Sequence, residues 1–194
     1  MLNLKNLFTR ALLALMLVTG AGAALAGPTY HVTVDTTTYT GTGSLDFFLS
    51  AYELSEDNKA YLGNFSGDFT GFTLTEGDAS GDIGSGLALT TRDGFAFFAQ
   101  GVNFGGRFGF DVRFDLASVD PIGFSVGLFS DELNDYLGAT GTVVAIELAP
   151  GQPDLVSVNA EFASASEVPE PATLASIMLG LTLMGSTLRA RRKK

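Results

Sequence analysis

The chain contains no cysteine and no tryptophan, and it has a single histidine, His31. The lack of cysteine excludes disulfide bonds and thiolate metal sites, and the lone histidine excludes a metal centre built from several imidazoles. Without tryptophan, tyrosines are the candidates for stacking on the ring of a bound sugar. These absences leave carboxylate chemistry and surface binding as the main options.

Positive charge is also scarce between residues 28 and 168. Twenty acidic residues stand against Lys59, Arg92, Arg107 and Arg113 in this body, which leaves a net charge of −16, whereas the whole chain has −10. Such a surface repels nucleic acid and anionic membranes, so we expect no nucleic-acid partner. The simplest role of the excess acid is to keep the domain soluble.

Residues 1–26 have the three parts of a secretory signal peptide. Two basic residues precede an unbroken apolar run of eight, and a cleavage site of small residues follows at Ala24, Ala26 and Gly27. We therefore expect export by the Sec machinery and cleavage after Ala26, which makes Gly27 the new N-terminus. The alternative, a permanent N-terminal anchor, is disfavoured because the apolar run is short.

The chain ends in a proline-rich break, an apolar segment and a basic cluster. The break is Val168-Pro169-Glu170-Pro171, and residues 172–188 have no charged side chain. A helix of these seventeen residues spans about 26 Å, at the short end for crossing a membrane. A docked amphipathic helix is the alternative, but the segment lacks a charged face. The basic cluster, expected on the cytoplasmic side, consists of Arg189, Arg191, Arg192, Lys193 and Lys194.

These three elements resemble the PEP-CTERM sorting signal of exported proteins in Gram-negative bacteria that make exopolysaccharide. The resemblance covers residues 168–194, with the helix at 172–188 and the basic tail at 189–194. It implies that a membrane-embedded exosortase removes the helix and tail, after transient anchoring in the inner membrane. The final location would be the cell surface or the medium. Because members of this family carry unrelated bodies, the resemblance implies a route and no particular activity.

Between the terminal signals, apolar and polar residues alternate with a period of two. In residues 108–116, the clearest example, Phe, Phe, Val, Phe and Leu alternate with Gly, Asp, Arg and Asp. About ten such short strands, rich in Phe, Thr and Gly, predict an all-β fold. We expect an antiparallel β-sandwich of the jelly-roll kind over residues 27–162.

The segments between the predicted strands indicate turns and loops. Asp93-Gly94 lies between two apolar runs and predicts a hairpin. Residues 76–86 predict a long loop, and residues 131–136 predict a short helical turn. Residues 163–167 contain only Ala, Ser and Glu and predict a flexible linker to the sorting signal.

Groups for catalysis are few. His31 lies on the polar face of its strand, and no Gly-x-Ser-x-Gly elbow accompanies it, so we interpret it as a surface residue. A pair of carboxylates could serve a glycosidase, but so acidic a body places some pair at a suitable separation by chance. We therefore predict that the protein is not an enzyme, with a glycosidase as the remote alternative.

Carboxylate oxygens suit calcium better than other metals. The weak candidates are Asp78 and Asp82 in a glycine-rich loop, and Asp131 and Asp135 in the predicted helical turn. Neither pair has the spacing of an EF-hand loop. We therefore expect no cofactor, and calcium is the one exception that these acidic loops allow.

The predicted function is that of a non-catalytic surface or extracellular-matrix protein, processed by an exosortase and associated with exopolysaccharide or biofilm. The alternative is a β-sandwich module that binds a carbohydrate or calcium. Tyrosines grouped on one face of the sandwich would favour this module, and a uniformly acidic surface would favour the structural role. The phenylalanines are assigned mostly to the core, and the possible stacking platforms are Tyr39, Tyr52, Tyr61 and Tyr136.

Overall fold

The computed structural model describes residues 27–51, 57–117, 121–138, 141–149 and 151–169. The predicted signal peptide, the apolar segment at 172–188 and the basic tail lie outside these residues. In the described part of the chain, no helix is long and apolar enough to cross a membrane.

The described residues form thirteen β-strands and no helix, which confirms the all-β prediction. The strands are β1 (Thr29–Asp35), β2 (Thr42–Ala51), β3 (Lys59–Ser66), β4 (Phe69–Gly77), β5 (Ala79–Asp82), β6 (Gly86–Thr90), β7 (Phe95–Asn103), β8 (Arg107–Asp115), β9 (Ile122–Ser130), β10 (Asp135–Tyr136), β11 (Thr142–Leu148), β12 (Leu155–Val158) and β13 (Ala163–Glu167).

The strands form two antiparallel sheets. Sheet A has the order β13-β1-β8-β3-β6-β5, and sheet B has the order β12-β11-β9-β2-β7-β4, with β10 paired to β9. The pairs β1–β8, β2–β7 and β3–β6 are nested along the chain. Such nesting arises when a long two-stranded ribbon folds over into two sheets, which is how a jelly roll is built.

The core lies between the sheets and uses the alternate apolar positions. Phe47 of β2 and Phe110 of β8 are fully buried, and their rings meet edge to face with centroids 5.1 Å apart. Phe114 of β8 and Phe124 of β9 make a second contact between the sheets at 5.7 Å. Because β8 belongs to sheet A and the other two strands to sheet B, these rings join the sheets.

The predicted hairpin at Asp93-Gly94 is wrong, although the turn itself is present. The preceding strand, β6, belongs to sheet A, and the following strand, β7, belongs to sheet B. Gly94 donates its backbone N–H to the Thr91 carbonyl at 2.8 Å, and its φ of 92° is one that glycine adopts without strain. The dipeptide marks a change of direction, but the partners of the flanking strands depend on the nested pairing of the whole sandwich.

Two segments predicted to be irregular contain short strands. The predicted loop at 76–86 includes β5, which pairs with β6 as a hairpin. The predicted helical turn at 131–136 is a turn that leads into β10, which pairs with β9. Both strands are short and poor in apolar residues, so they leave no period-two signal, and backbone pairing holds them in place.

The prediction of a linker at residues 163–167 is also wrong. These residues form β13, which pairs with β1 from Val34↔Ala163 to Tyr30↔Glu167. The Ala-Ser-Ala-Ser order is itself an alternation, and both alanines of the strand pack against the core. Composition alone predicts flexibility here, but β1 offers an open edge whose backbone groups need partners.

We predict that a body of residues 27–162 is less stable than one of residues 27–168 by about 2–5 kcal/mol. Removing β13 breaks several backbone hydrogen bonds worth about 1 kcal/mol each and leaves one edge of β1 unpaired. Urea denaturation measures the difference. The control, Ser166→Ala in the longer body, changes an exposed side chain and should shift stability by at most about 0.5 kcal/mol. Equal stability of the two bodies would contradict the strand β13 and favour the interpretation of residues 163–167 as a flexible linker.

We also predict that Phe110→Ala lowers the free energy of unfolding by about 3–5 kcal/mol, because it removes a fully buried ring. The matched control is Phe72→Ala, since the Phe72 side chain is 57% exposed on β4. Its expected loss is below about 1 kcal/mol. Equal losses in the same urea experiment would contradict the assignment of the two faces.

Candidate functional site

A groove crosses the outer face of sheet B, the face that points away from the core. Its volume is about 510 Å³, and residues from β4, β7, β2, β9 and β10 line it. Phe72 and Leu74 of β4 lie on one side, and Phe129 and Tyr136 lie on the other. Residues of β7 and β2 lie between them, and most of these are small, with Phe97 as the one aromatic ring. We call this feature the sheet B groove.

Two glycines allow the walls to lie close to the sheet. A Cβ on Gly101 of β7 would lie 2.2 Å from Thr70 Oγ1 and 2.9 Å from Phe72 Cβ, so a side chain there would displace β4. A Cβ on Gly127 of β9 would lie 2.9 Å from Cε1 of the Tyr136 ring. Phe72 and Tyr136 therefore each depend on a glycine in the neighbouring strand.

Asp46 of β2 is the acidic group in the floor of the groove, and only 7% of its surface is exposed. Ser44 Oγ donates a hydrogen bond to its Oδ1 at 2.6 Å, and the Tyr136 hydroxyl donates to its Oδ2 at 2.7 Å. Burial first, and the hydrogen bond to Asp46 second, raise the pKa of Tyr136 to about 12. The two hydroxyls support the carboxylate, whose four or so acceptor positions are only partly used.

A second, smaller hollow of about 270 Å³ continues the groove and shares Asp46, Phe97 and Tyr136 with it. Phe48 of β2 also lines this hollow, and its ring stacks on Phe95 at a centroid distance of 6.0 Å. The outer face of sheet B therefore presents a row of aromatic rings with one buried carboxylate among them.

Among the residues that the structure describes, the basic side chains lie outside the strands of sheet B. The described strands of sheet B contain no Lys or Arg. Lys59, Arg107 and Arg113 lie on β3 and β8 of sheet A, and Arg92 lies in the turn between β6 and β7. The carboxylates of the sheet B groove are therefore not neutralised by a neighbouring cation on their own sheet.

The outer face of sheet A carries a polar cluster around Asp111. Its Oδ1 lies 2.6 Å from His31 Nδ1, and Asn64 Nδ2 donates to its Oδ2 at 2.6 Å. Burial opposes the charge of Asp111, but the hydrogen bonds from Asn64 and His31 outweigh it and hold its pKa below the usual value. The hydroxyl of Ser66, on the neighbouring strand β3, donates to the Gly109 carbonyl at 3.4 Å.

The first pair of calcium candidates, Asp78 and Asp82, accepts hydrogen bonds from other groups of the protein. Asp78 accepts a short hydrogen bond from the Thr90 hydroxyl. Asp82 Oδ1 accepts the backbone N–H groups of Gly84 and Ser85 at 2.7 and 2.8 Å, and these bonds, that of Ser85 foremost, lower its pKa. Asp82 therefore stabilises the turn between β5 and β6.

The second pair also makes hydrogen bonds within the protein. Asp131 Oδ2 accepts the Thr42 hydroxyl at 2.7 Å, and Asp135 Oδ1 accepts the backbone N–H of Tyr136 at 2.8 Å. Asp131 lines the sheet B groove. Among the residues that the structure describes, no three Asp, Glu or His side chains form a group that could hold a metal ion. Calcium binding stays a prediction.

The sequence predicted only part of the aromatic outer face of sheet B. Of the described tyrosine candidates, Tyr136 lines the groove, whereas Tyr39 packs against Phe162 and Tyr61 lies under Arg113. Tyr52 lies outside the described residues. The phenylalanines at 48, 72 and 95 are exposed and are exceptions to the assignment of most phenylalanines to the core. The alternation of side chains along a strand could have identified one of them from the sequence. Because Phe47 points into the core, the next residue, Phe48, must point outward.

The start of β1 and the end of β13 lie next to each other in sheet A, so both ends of the body are close together. Val168 donates its backbone N–H to the Thr29 carbonyl at 2.8 Å, just beyond the last pair of β13 and β1. At the other terminus, the Pro28 carbonyl accepts the Phe114 N–H at 3.1 Å. Of the predicted processing residues, Gly27, Val168 and Pro169 are described. The others, Ala24, Ala26, Glu170, Pro171 and the basic tail, lie outside the described residues.

We predict that Tyr136→Phe reduces the loss of stability between pH 10 and 12. The pKa of Tyr136 is raised from about 10 to about 12 in the folded protein, so its contribution is present below pH 10 and is lost as the pH rises toward 12. Urea denaturation at several pH values measures this, and other titrating groups cancel because both proteins contain them. Parallel pH profiles would contradict the buried hydrogen bond to Asp46.

Residues 167–193 match the family model of the PEP-CTERM protein-sorting motif. The match begins at the last residue of β13, so it covers the end of the chain and not the β-sandwich. No curated protein and no solved structure matches the chain. The motif implies recognition by exosortase, with export and membrane anchoring before processing. The chain therefore carries the sorting motif of an exosortase-targeted exported protein.

Proposed function

We propose that this chain is a non-catalytic protein of the cell surface or extracellular matrix, exported, processed by exosortase and associated with exopolysaccharide or biofilm. The observation that carries the proposal is the sorting motif at residues 167–193. The route begins with a signal peptide at residues 1–26 and the Sec machinery. It continues with transient anchoring in the inner membrane of a Gram-negative bacterium by the helix at 172–188.

The position of the motif supports this route. The last backbone hydrogen bond of the body is that of Val168 to Thr29, and the Pro-Glu-Pro sequence follows directly. Cleavage at or after the motif therefore removes no strand of the sandwich. Because β13 is paired up to Glu167, the processed protein keeps the edge of β1 covered.

The acidic body supports a role outside the cell. A net charge of −16 between residues 28 and 168 keeps copies of the protein apart and away from anionic membranes. Calcium binding, the second candidate, has less support, since each carboxylate of the two candidate pairs already accepts a hydrogen bond from the protein. The groove on the outer face of sheet B supports a role in which the protein binds a ligand without reacting with it.

The non-catalytic assignment has its own support. The Asp46 oxygens accept hydrogen bonds from Ser44 and Tyr136, and these bonds suit a fixed acceptor better than a group that exchanges protons with a substrate. Asp131, the other described acid that lines the groove, accepts a bond from Thr42. Release of new reducing ends from a neutral glucan by the purified chain would overturn the assignment in favour of a glycosidase.

We predict that replacing Pro169, Glu170 and Pro171 with alanine leaves export intact and traps the precursor in the inner membrane. The physical reason is that the sorting enzyme must recognise an extended, proline-restricted segment beside the membrane. Cell fractionation and intact mass measure the outcome, and released wild-type protein should lack residues 1–26 together with the helix and the basic tail.

The control is the wild-type chain in a strain without exosortase, which should accumulate the same membrane-bound precursor as the triple variant. Equal amounts of released protein from the variant and the wild type would contradict recognition of the motif. Released wild-type protein that retains Arg191 to Lys194 would contradict processing altogether.

A further inference from the structure

We infer that the sheet B groove binds an uncharged polysaccharide chain laid across β4, β7, β2 and β9. The inference deepens the proposed association with exopolysaccharide, since it names the surface and the chemistry of the ligand. It rests on that association for its biological meaning, whereas the binding itself belongs to the groove and needs no processing by exosortase.

The walls of the groove suit the apolar faces of sugar rings. A pyranose ring presents C–H groups on its faces, and the electron-rich face of an aromatic ring attracts them. Phe72 is 57% exposed on β4, and Tyr136 is exposed on β10 across the groove. Phe97 lies between them on β7 and lines both hollows. The groove therefore offers aromatic surface at both walls and in its middle.

The floor of the groove suits the hydroxyl groups of a sugar. Asp46 is held by Ser44 and Tyr136, and its remaining acceptor positions are available to a donor in the groove. A hydroxyl that donates to a buried carboxylate makes a stronger bond than one that donates to a neutral oxygen. Thr70 and Asp131 add polar atoms to the lining. Apolar walls and a polar floor match the two kinds of surface on a hexose.

The charge of the groove selects against anionic ligands, and its buried carboxylate selects against ligands without a hydrogen-bond donor. Its described lining contains Asp46 and Asp131 and no basic side chain, so a polyuronate, a phosphorylated glycan or a nucleic acid would be repelled. A lipid chain would cover the Asp46 carboxylate without offering a donor, and such desolvation is unfavourable. An uncharged polyol with hydroxyl donors avoids both penalties.

The length of the groove suits a chain better than a single sugar. Four neighbouring strands span about 14 Å at roughly 4.8 Å per strand, and the second hollow extends the surface toward Phe48. The stack of Phe48 on Phe95 adds aromatic surface at that end. We therefore expect affinity to rise with the number of linked sugar units.

The experiment uses the full chain, solubilised from membranes in a zwitterionic detergent without a sugar headgroup. The probes are three neutral hexasaccharides: β-1,4-linked glucose, β-1,4-linked mannose and β-1,3-linked glucose. Hexamers of uronic acid and of glucosamine serve as the anionic and cationic comparisons. Isothermal titration calorimetry measures binding at low salt and again at about 0.5 M sodium chloride, where attraction between exposed charges is screened. We expect at least one neutral hexamer to bind, and to bind more tightly than its trimer and than the anionic hexamer at both salt concentrations. The cationic hexamer is attracted to the acidic body at low salt, and this attraction should fade at high salt, whereas binding of the neutral hexamer should not change.

Three variants identify the groove as the site. Phe72→Ala should weaken binding about tenfold, because it removes one exposed stacking ring. Leu74→Ala in the groove and Leu155→Ala on β12 form a matched pair, since these side chains are 47% and 58% exposed on strands of the same sheet. The first should weaken binding measurably, and the second should leave it unchanged. Urea denaturation confirms that all three proteins remain folded.

The inference is overturned if none of the neutral hexamers binds, if the anionic hexamer binds as tightly as the best neutral one, or if the cationic hexamer still binds as tightly as the best neutral one at high salt. It is also overturned if Phe72→Ala and Leu155→Ala bind alike. A chain that binds none of the hexamers but is still processed by exosortase would refute polysaccharide binding by the groove and leave the sorting route supported. A chain that binds but is not processed would support the groove and refute the sorting route.

Discussion

The edge-to-face contacts of phenylalanine between β8 and the strands of sheet B are the interaction on which the molecule depends. Phe110 meets Phe47, and Phe114 meets Phe124, so one strand of sheet A is joined to two strands of sheet B. No disulfide is available to replace these contacts, since the chain has no cysteine. The nested strand pairs close around this aromatic layer, and everything on the outer faces is positioned by it.

Strand β1 relates the fold to the position of the sorting motif. It pairs with β8 on one side and with β13 on the other, and its first residue accepts the hydrogen bond of Val168. The body therefore begins and ends on neighbouring strands, with the sorting motif directly after the second of them. This arrangement lets the terminal segments be removed while the sandwich keeps all its strands.

The two outer faces of the sandwich differ in chemistry. Sheet A carries Lys59, Arg107 and Arg113, and its most polar cluster centres on Asp111. Sheet B has no basic residue in its described strands and carries the exposed aromatic rings. Sheet A therefore presents charges of both signs, whereas sheet B presents aromatic rings together with acidic side chains. The groove on the second face owes its walls to glycines that let β4 and Tyr136 lie close to the sheet.

The sequence by itself determined the sorting motif, the all-β class and the inward positions such as Phe108 and Phe110, because these depend on local order and on a period of two. It also indicated the turn at Gly94. Only the tertiary structure decided that this turn crosses between sheets, that residues 163–167 are a strand, and that Asp46 and Tyr136 meet. Those two residues are 90 positions apart and share a hydrogen bond. Pairing between distant strands brings such groups together, and no local pattern records which strands will be neighbours.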